Sequence, residues 1–309
     1  MGRYVIRRLL QVIPVFFGTT LIIFAAVFAL PGDPVRALFG DRQPPQQTID
    51  AITRKYNLDK PLWEQYFLYM KGIFLHLDFG ENFHNRPVLD IMKEAWPVSV
   101  KLGLTAFSIE VVIGLSAGIL AGLRRGGFFD NFVLMTTTLL IAIPVFVLGF
   151  VGQLVFGLKL QVFPISGLKD GWPYSYILPA MILAGIQLAS LTRLVRTSLV
   201  ENLRADYVRT AIAKGLPRRR VVARHAFRNS LIPVVTLLGL DIGTLISGAI
   251  ITEGIFNIPG VGRALFLAIN AQENTVVVGI STALVLVFII ANLAVDLLYG
   301  TLDPRIRYD

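Results

Sequence analysis

Acidic side chains within otherwise apolar segments are the residues of this sequence whose type and position could do chemistry. Asp241 lies ten residues after Leu231, where one apolar run begins, and Glu110 lies almost as deep in another. A carboxylate at the centre of a bilayer costs about 2.5–3.5 kcal/mol on insertion scales, so such residues tend to face a bundle interior or a water-filled path. For Asp241 both a path-lining role and a structural hydrogen bond to a neighbouring helix stay open, whereas a structural role is favoured for Glu110. Glu253 lies near the end of its run, where its carboxylate is expected to reach water.

The signatures of common enzyme sites are missing from the sequence. It contains neither the GxxxxGK[ST] loop that binds nucleotide phosphates nor the HExxH motif of zinc hydrolases. Cysteine is absent, which excludes disulfides and thiolate chemistry, and the three histidines do not have the spacing of a zinc site: His76, His84 and His225. We therefore expect no catalysis, cofactor or metal in this chain; if ATP drives its activity, a separate subunit must bind the ATP.

Residues 206–233 combine the densest positive charge of the chain with signals for two short helices. Asp206 is expected to cap the first helix, Gly215 to end it in a left-handed conformation, and Pro217 to begin the second. One face of the first helix is predicted to be apolar: Val208, Ala211 and Ile212. Basic loops often hold a surface helix without any partner, but so sharp a corner between apolar runs suggests a part that another protein contacts.

The remaining chain must position these residues in a membrane. Its 309 residues are 54% hydrophobic and 16% charged, whereas soluble domains are about 25% charged. Several uncharged runs exceed the ~18 residues that mark a transmembrane helix. The predicted fold class is an all-α polytopic membrane protein with six transmembrane helices, at about residues 9–30, 98–123, 131–158 (kinked at Pro144), 177–194, 231–251 and 276–298.

Three regions follow from these spans: a first transmembrane helix (1–30), an extracytoplasmic segment (31–97) and a core of five transmembrane helices (98–309) that includes the basic loop 198–230. In the extracytoplasmic segment, Thr48 is expected to cap one short helix, and residues 62–77 form an amphipathic helix rich in aromatic side chains. Small residues in the fifth span are expected to let that helix lie close to its neighbours: Gly239, Gly243, Ser247, Gly248 and Ala249.

Positive charge is distributed unevenly over the predicted loops. The net charge is +9, and more than half of the 29 lysines and arginines fall on one side of the membrane, mostly in residues 193–228. On the other side, basic and acidic residues nearly balance. This asymmetry follows the positive-inside rule and places both termini in the cytoplasm, and it argues against a nucleic-acid partner.

Several ordered blocks resemble one family of transport proteins. Residues 207–215, followed by residues 224–229 and 231–233, resemble the "EAA loop" of binding-protein-dependent ABC importer permeases. Further blocks at consistent positions are similar to the B-type permeases of the dipeptide/oligopeptide/nickel group: residues 30–34, 56–62, 77–80, 86–88 and 256–262. Arg209-Thr210-Ala211 stands where the loop is named for Glu-Ala-Ala, while Gly215 is kept.

The resemblance implies a type I ABC importer permease in the bacterial cytoplasmic membrane, which forms half of a translocation path for di- or oligopeptides. It implies a homologous C-type permease as partner, two ATP-binding subunits in the cytoplasm and an extracytoplasmic solute-binding protein, which the segment 31–97 could help to receive. The coupling helix that docks on an ATP-binding subunit would include Asp206, Tyr207, Arg209, Thr210, Ala211, Lys214 and Gly215. The path would be lined by Asp241, Glu110 and Glu253.

Two other function classes stay open at this point. An ion-coupled secondary transporter could use Asp241 or Glu110 as its ion-binding carboxylate, although such carriers often show duplicated halves and broken helices at the midplane. An intramembrane enzyme is a third class, but no catalytic group of residues supports it. Among importers, the solute itself stays open between dipeptides, oligopeptides, nickel chelates, glutathione and haem.

Overall fold

The computed structural model of the protein describes residues 2–28, 45–55, 57, 59–246 and 249–302. Within these residues the secondary structure is helical, apart from one isolated antiparallel bridge between Glu81 and Pro87. The helices are α1 (Gly2–Phe28), α2 (Gln46–Lys55), α3 (Leu62–His76), α4 (Val88–Ile109), α5 (Leu115–Leu123), α6 (Phe128–Ala142), α7 (Val145–Gly152), α8 (Tyr174–Arg204), α9 (Asp206–Ala213), α10 (Arg218–Arg220), α11 (Arg228–Ile246), α12 (Ile250–Ile255), α13 (Val261–Asn270) and α14 (Asn274–Leu302). Three π-helical segments continue α4, α7 and α10: Glu110–Gly114, Gln153–Lys159 and Val221–Phe227.

Five continuous helical stretches among the described residues are long and apolar enough to cross a bilayer: Ile6–Phe28, Val88–Leu123, Tyr174–Arg204, Arg218–Leu245 and Asn274–Val295. A sixth is formed if the bent pair of α6 and the α7 stretch counts as one span. The all-α polytopic fold class is therefore confirmed, and the predicted count of six depends on this bent pair.

The predicted kink at Pro144 is a complete break in the helix. Helices α6 and α7 meet at an angle of 106°. Proline lacks the N–H group of the helix ladder and disfavours helical geometry at the residue before it, and Ile143 is extended with ψ at 126°. The carbonyl of Pro144 then accepts hydrogen bonds from the amides of Val147 and Leu148, at 3.0 and 3.1 Å, and so begins α7.

Other predicted boundaries also moved. The helix of the second span begins at Val88, ten residues before the expected start, because Pro97 is accommodated inside α4. The fifth span was expected to reach Ile251, but α11 ends at Ile246 and α12 is a separate short helix; Ser247 and Gly248 lie outside the described residues. Helix α2 begins at Gln46, so Thr48 lies inside that helix and is not its cap.

The described residues within 1–99 and 259–309 form the first of two compact units. Helix α1 packs against α14 and α3, and α13 packs against α14. The hydroxyl of Tyr66 lies 2.9 Å from Oγ1 of Thr20 in α1, and the hydroxyl of Tyr69 donates to Oγ1 of Thr282 in α14 at 3.0 Å. Burial raises the pKa of the Tyr69 phenol, which therefore stays protonated as a donor. One aromatic face of α3 thus packs on long helices, while Trp63 and Phe67 are exposed.

Residues 100–258 form the second unit, in which α8 packs against α5, α6, α7 and α11. Glycines in α5 let that helix approach α8 closely: a Cβ added at Gly118 would lie 2.7 Å from the Val195 Cβ. Close approach through small residues was predicted for the fifth span, where Gly243 is buried and Gly239 is half-buried. Helix α5 makes a further close approach to α8 that was not predicted from the sequence.

Candidate functional site

Helix α9 rests on the second unit through a small apolar cluster. Val208 and Ala211 are 1% and 5% exposed, and they pack with Leu199 of α8 and with two residues of the following π-helical segment, Val221 and Ala226. Burying a valine side chain contributes about 1.5–3 kcal/mol, so this cluster holds an eight-residue helix that would not be stable alone. The apolar face predicted from the spacing of Val208 and Ala211 is therefore present.

Two details of this helix differ from the prediction. Asp206 does not cap it, because Ala205 occupies the N-cap position and the Asp206 side chain, 96% exposed, forms only an ion pair of 3.5 Å with Arg209. The Ala205 carbonyl instead accepts the amide of Val208 at 3.0 Å. Ile212 is 60% exposed, since it lies just past the edge of the buried stripe.

The end of α9 is set by Gly215, as predicted. Its φ is +73°, in the left-handed region, and its amide donates to the Ile212 carbonyl at 2.9 Å. Pro217 is the N-cap of α10 and not its first residue, which shifts the start of the second helix by one position. From Arg218 the chain is helical through the π-helical segment into α11, so the corner leads directly into a long apolar helix.

The outer face of α9 is open to its surroundings. Tyr207 and Ile212 are exposed apolar or aromatic side chains, and the other exposed residues of the predicted docking set are polar or small: Asp206, Arg209, Thr210, Lys214 and Gly215. Tyr207 donates a hydrogen bond to the side-chain carbonyl of Asn202, which orients its ring beside the helix. Ala211 belongs to the predicted docking set but faces the cluster beneath the helix, so its role there is to seat α9.

A buried ion pair near this end of the unit was not predicted from the sequence. Arg196 of α8 donates to both carboxylate oxygens of Asp130 in α6, at 2.5 and 2.7 Å. The Asp130 side chain is 1% exposed and also accepts the amide of Gly126 at 2.8 Å. Asp130 and Arg196 both lie just outside the spans predicted at 131–158 and 177–194, where charged residues are expected to be solvated, so nothing in the sequence indicated that they meet. Once buried, each charge needs the other as its partner.

Glu110 and Asp241, which the sequence placed in different spans, meet inside the second unit. Glu110 lies in the π-helical turn after α4 and is fully buried, and Asp241 lies in α11 and is partly exposed. The two carboxyl groups interact directly with each other. Neither oxygen of Glu110 nor Oδ2 of Asp241 meets a hydrogen-bond donor. Oδ2 of Asp241 therefore does not accept a structural hydrogen bond from Ser, Thr or Asn of a neighbouring helix, which was one of the two roles left open for this residue.

Glu253 lies in α12 and is fully buried, so the expectation that its carboxylate reaches water is wrong. One of its oxygens lies 3.5 Å from the amide of Ala249. The segment that carries it is fixed from two places. The amide of Gly167, in the loop before α8, donates to the Phe256 carbonyl at 2.7 Å, and the side chain of Gln153, in the π-helical segment after α7, donates to the Ile255 carbonyl at 3.0 Å. Because this segment is buried, the Glu253 carboxylate is not exposed to water even though it lies near the end of the predicted span.

Metal-binding geometry is not found among the described residues, where no group of three or more His, Cys, Asp and Glu side chains could hold an ion. Among the three acids predicted for the path, Asp241 is the one with exposed surface. The described residues therefore present two features: an exposed, largely polar outer face on α9 and a carboxyl pair inside the second unit.

Comparison of the whole sequence with protein families identifies what kind of molecule carries these features. The sequence model described as "Binding-protein-dependent transport system inner membrane component" matches residues 114–308, and the model of its N-terminal part matches residues 1–103. The chain belongs to this family. As an inner membrane component it is a multi-pass membrane protein, and transport systems of this type work with a solute-binding protein and with ATP-binding subunits.

Curated relatives of this permease family match it along its full length. The dipeptide transport system permease protein DppB of Escherichia coli (strain K12) is 36% identical, over 100% of this chain and 99% of that protein. The di/tripeptide transport system permease protein DppB of Pseudomonas aeruginosa (strain UCBPP-PA14) is 38% identical with the same coverage. A putative peptide transport system permease of Brucella abortus (strain 2308) is 36% identical over 100% of both chains. The resemblance in the sequence blocks to B-type peptide permeases is thereby confirmed.

Proposed function

We propose that this chain is the B-type permease subunit of an ATP-driven peptide importer, and that α9 is the helix through which ATP-binding subunits move it. The full-length similarity to dipeptide and di/tripeptide permeases supports the substrate class. The docking role is supported by the difference between the two faces of α9. One face is buried against the second unit through Val208 and Ala211, and the other exposes Ile212 beside basic residues.

Helix α9 is linked to two long helices, α8 and α11. Only Ala205 separates α9 from α8, and the cluster beneath α9 also contains Val221 and Ala226, which precede α11. A close-packed cluster transmits displacement because its side chains have no free volume to absorb it. A push on the exposed face of α9 therefore moves the ends of α8 and α11 together, and these are the helices that border the carboxyl pair and the candidate path.

The remaining parts of the proposed system follow the same assignment. A homologous C-type permease would complete the translocation path, two ATP-binding subunits would supply ATP hydrolysis with Mg²⁺, and an extracytoplasmic solute-binding protein would select the peptide. Both termini and α9 would then lie in the cytoplasm, consistent with the excess of Lys and Arg on that side. This chain by itself would transport nothing.

Asp241 is the residue that we assign to the path, because its side chain keeps exposed surface on a helix that α9 moves. A carboxylate there would attract the ammonium group of an incoming peptide. Replacing Asp241 by Asn in the assembled importer is expected to slow peptide uptake without dissociating the complex. Unchanged uptake in this variant would remove Asp241 from the path.

The docking role is tested by placing a charge on the exposed face of α9. Ile212→Asp in the co-expressed importer should weaken association with the ATP-binding subunits by at least about tenfold, since burying an isoleucine contributes roughly 1.5–3 kcal/mol. ATP-dependent peptide uptake in proteoliposomes should fall in parallel. Co-purification of the ATP-binding subunits with the permease is the primary measurement.

Leu75→Asp is the matched control, because Leu75 is an equally exposed aliphatic residue, at 64% against 60% for Ile212, and lies on α3 in the predicted extracytoplasmic segment. It should leave co-purification unchanged. If Ile212→Asp retains the ATP-binding subunits and full uptake, α9 is not the docking helix. If gradient-driven uptake occurs in proteoliposomes that hold this chain alone, the ion-coupled alternative replaces the importer.

A further inference from the structure

The second unit contains a carboxyl group with no donor to satisfy it. Glu110 is 0% exposed, and neither of its oxygens has a hydrogen-bond partner among the described residues. An ionised carboxylate in such a position costs several kcal/mol, because burial removes its hydration and nothing replaces it. Glu110 is buried by residues of this chain alone, without a partner subunit. Whatever satisfies its oxygens must therefore be small enough to fit between the side chains already present.

The group that faces Glu110 is another carboxyl. Asp241 interacts directly with it, and Oδ2 of Asp241 is likewise buried without a donor. Two ionised carboxylates can only accept hydrogen bonds and repel each other, whereas one proton converts the contact into a hydrogen bond between a donor and an acceptor. A single added proton therefore gives both carboxyl groups a hydrogen-bond partner, since one becomes the donor and the other the acceptor.

Basic side chains do not supply the missing charge. The π-helical turn of Glu110 and helix α11 both pack against α8. Two arginines of α8 are engaged with α6: Arg196 binds Asp130, and Arg193 donates to the hydroxyls of Thr137 and Thr138, at 3.0 and 2.6 Å. The third, Arg204, is the exposed last residue of α8. Helix α5, which also contacts this turn, has no charged residue. Among the described residues, the ionisable group that each carboxyl of the pair faces is the other one.

The surroundings of the pair are apolar and close-packed. Within one turn of Glu110, a Cβ added at Gly114 would lie 2.8 Å from the Leu191 side chain of α8. Leu191 also forms an apolar cluster with Val195 and with Val234 of α11. A metal ion would need at least three or four oxygen ligands, and no such group of side chains exists in the described part of the chain. A proton is the ligand that fits two facing oxygens.

We propose that Glu110 and Asp241 form a proton-binding pair, in which the Glu110 carboxyl carries the proton and donates it in a hydrogen bond to Oδ2 of Asp241. Glu110 takes the proton because it is the fully buried member, and Asp241 keeps the negative charge because that residue is only partly buried. The bond links the π-helical turn directly to α11. It also leaves a single negative charge on Asp241, and the use of that charge by the path rests on the proposed function.

Infrared spectroscopy of the assembled importer in lipid nanodiscs at neutral pH tests the protonation directly. A protonated carboxyl has a carbonyl stretch distinct from that of a carboxylate, and it shifts in D₂O. The wild type should show this band, Glu110→Gln should lose it, and Asp241→Asn should keep it at a shifted position, because Glu110 stays buried with a new amide partner. Glu94→Gln, which removes an exposed carboxyl from α4, should leave the band unchanged.

Thermal unfolding against pH gives an independent readout. The folded state holds a proton that the unfolded chain releases near neutral pH, so raising the pH should lower the wild-type midpoint. Glu110→Gln replaces the proton by an amide donor of similar shape, and it should unfold near the wild-type midpoint at neutral pH with a smaller decrease at alkaline pH. Glu110→Ala should be less stable than Glu110→Gln at both pH values.

Three results would overturn the proposal. The first is a wild-type spectrum that Glu110→Gln does not change. The second is a band that Asp241→Asn abolishes while Glu110→Gln keeps it, which would place the proton on Asp241. The third is a thermal midpoint of the wild type that rises when Na⁺ or K⁺ is added at constant ionic strength, while the midpoint of Glu110→Gln does not change. That result would mean that the pair binds a metal cation and not a proton.

Discussion

Gly215 is the residue on which the geometry of the α9 corner depends. Its φ of +73° lies in the left-handed region, and a Cβ added there would meet no atom within 4 Å. Alanine therefore fits the space and pays only the backbone strain of about 1–2 kcal/mol. Proline cannot adopt this φ, and it also removes the amide that donates to the Ile212 carbonyl.

We expect Gly215→Ala to lower the thermal midpoint of the importer slightly and to keep ATP-dependent uptake. Gly215→Pro should abolish uptake and release the ATP-binding subunits, because the end of α9 and the direction of α10 both change. The measurements are uptake in proteoliposomes and co-purification of the subunits, together with the thermal midpoint.

Gly171→Pro is the matched control for this prediction. Gly171 has φ at +72° and open space around it, and its amide donates to the Leu168 carbonyl at 3.0 Å, so proline disrupts a turn of the same kind in a different loop. It should lower stability and leave the ATP-binding subunits attached. Equal loss of those subunits in both variants would show that general destabilisation, and not the α9 corner, explains the effect.

At the scale of helices, the pair of Asp130 and Arg196 fixes α6 against α8 close to the start of α9. Asp130 accepts two hydrogen bonds from the guanidinium and one from the turn that precedes α6, so it joins three parts of the unit. Removing the charge of one partner leaves the other buried and unpaired, which typically costs about 3–5 kcal/mol.

Asp130→Asn should therefore lower the thermal midpoint of the importer strongly, and it should reduce uptake by loosening the end of α8 that α9 pushes. Asp90→Asn is the matched control, because Asp90 pairs with Lys93 on an exposed surface, where such a pair contributes about 0–1 kcal/mol. If both substitutions shift the midpoint by the same small amount, the buried pair does not hold these helices.

Local signals were sufficient to predict much of this architecture. Glycine and proline preferences located the end of α9 and the break near Pro144, because both act through the backbone of one or two residues. Local signals failed where neighbours decide: Ala205 and not Asp206 caps α9, and Ile212 lies outside the buried stripe. The meeting of Glu110 with Asp241, and of Asp130 with Arg196, depends on how separate helices pack, which spacing along one chain does not specify.

At the scale of the whole molecule, the proposed function requires a particular orientation in the membrane. The basic surface of α9 must face the cytoplasm, where ATP is available, and the aromatic helix α3 must lie on the opposite side. The positive-inside rule supports this orientation because residues 193–228 hold most of the excess positive charge. An importer with the reverse orientation could not couple ATP hydrolysis through α9.

The absence of cysteine from the sequence makes this orientation directly measurable, since each introduced cysteine is the only thiol in the chain. Arg125→Cys and Lys214→Cys lie at exposed positions predicted to be cytoplasmic, and Phe67→Cys and Lys169→Cys lie at exposed positions predicted to be external. A membrane-impermeant maleimide added to intact spheroplasts should label the second pair at once and the first pair only after permeabilisation. Labelling of Lys214→Cys in intact spheroplasts would place α9 outside the cell and would rule out its contact with ATP-binding subunits. The other three positions would then show whether the whole chain is inverted or only this loop.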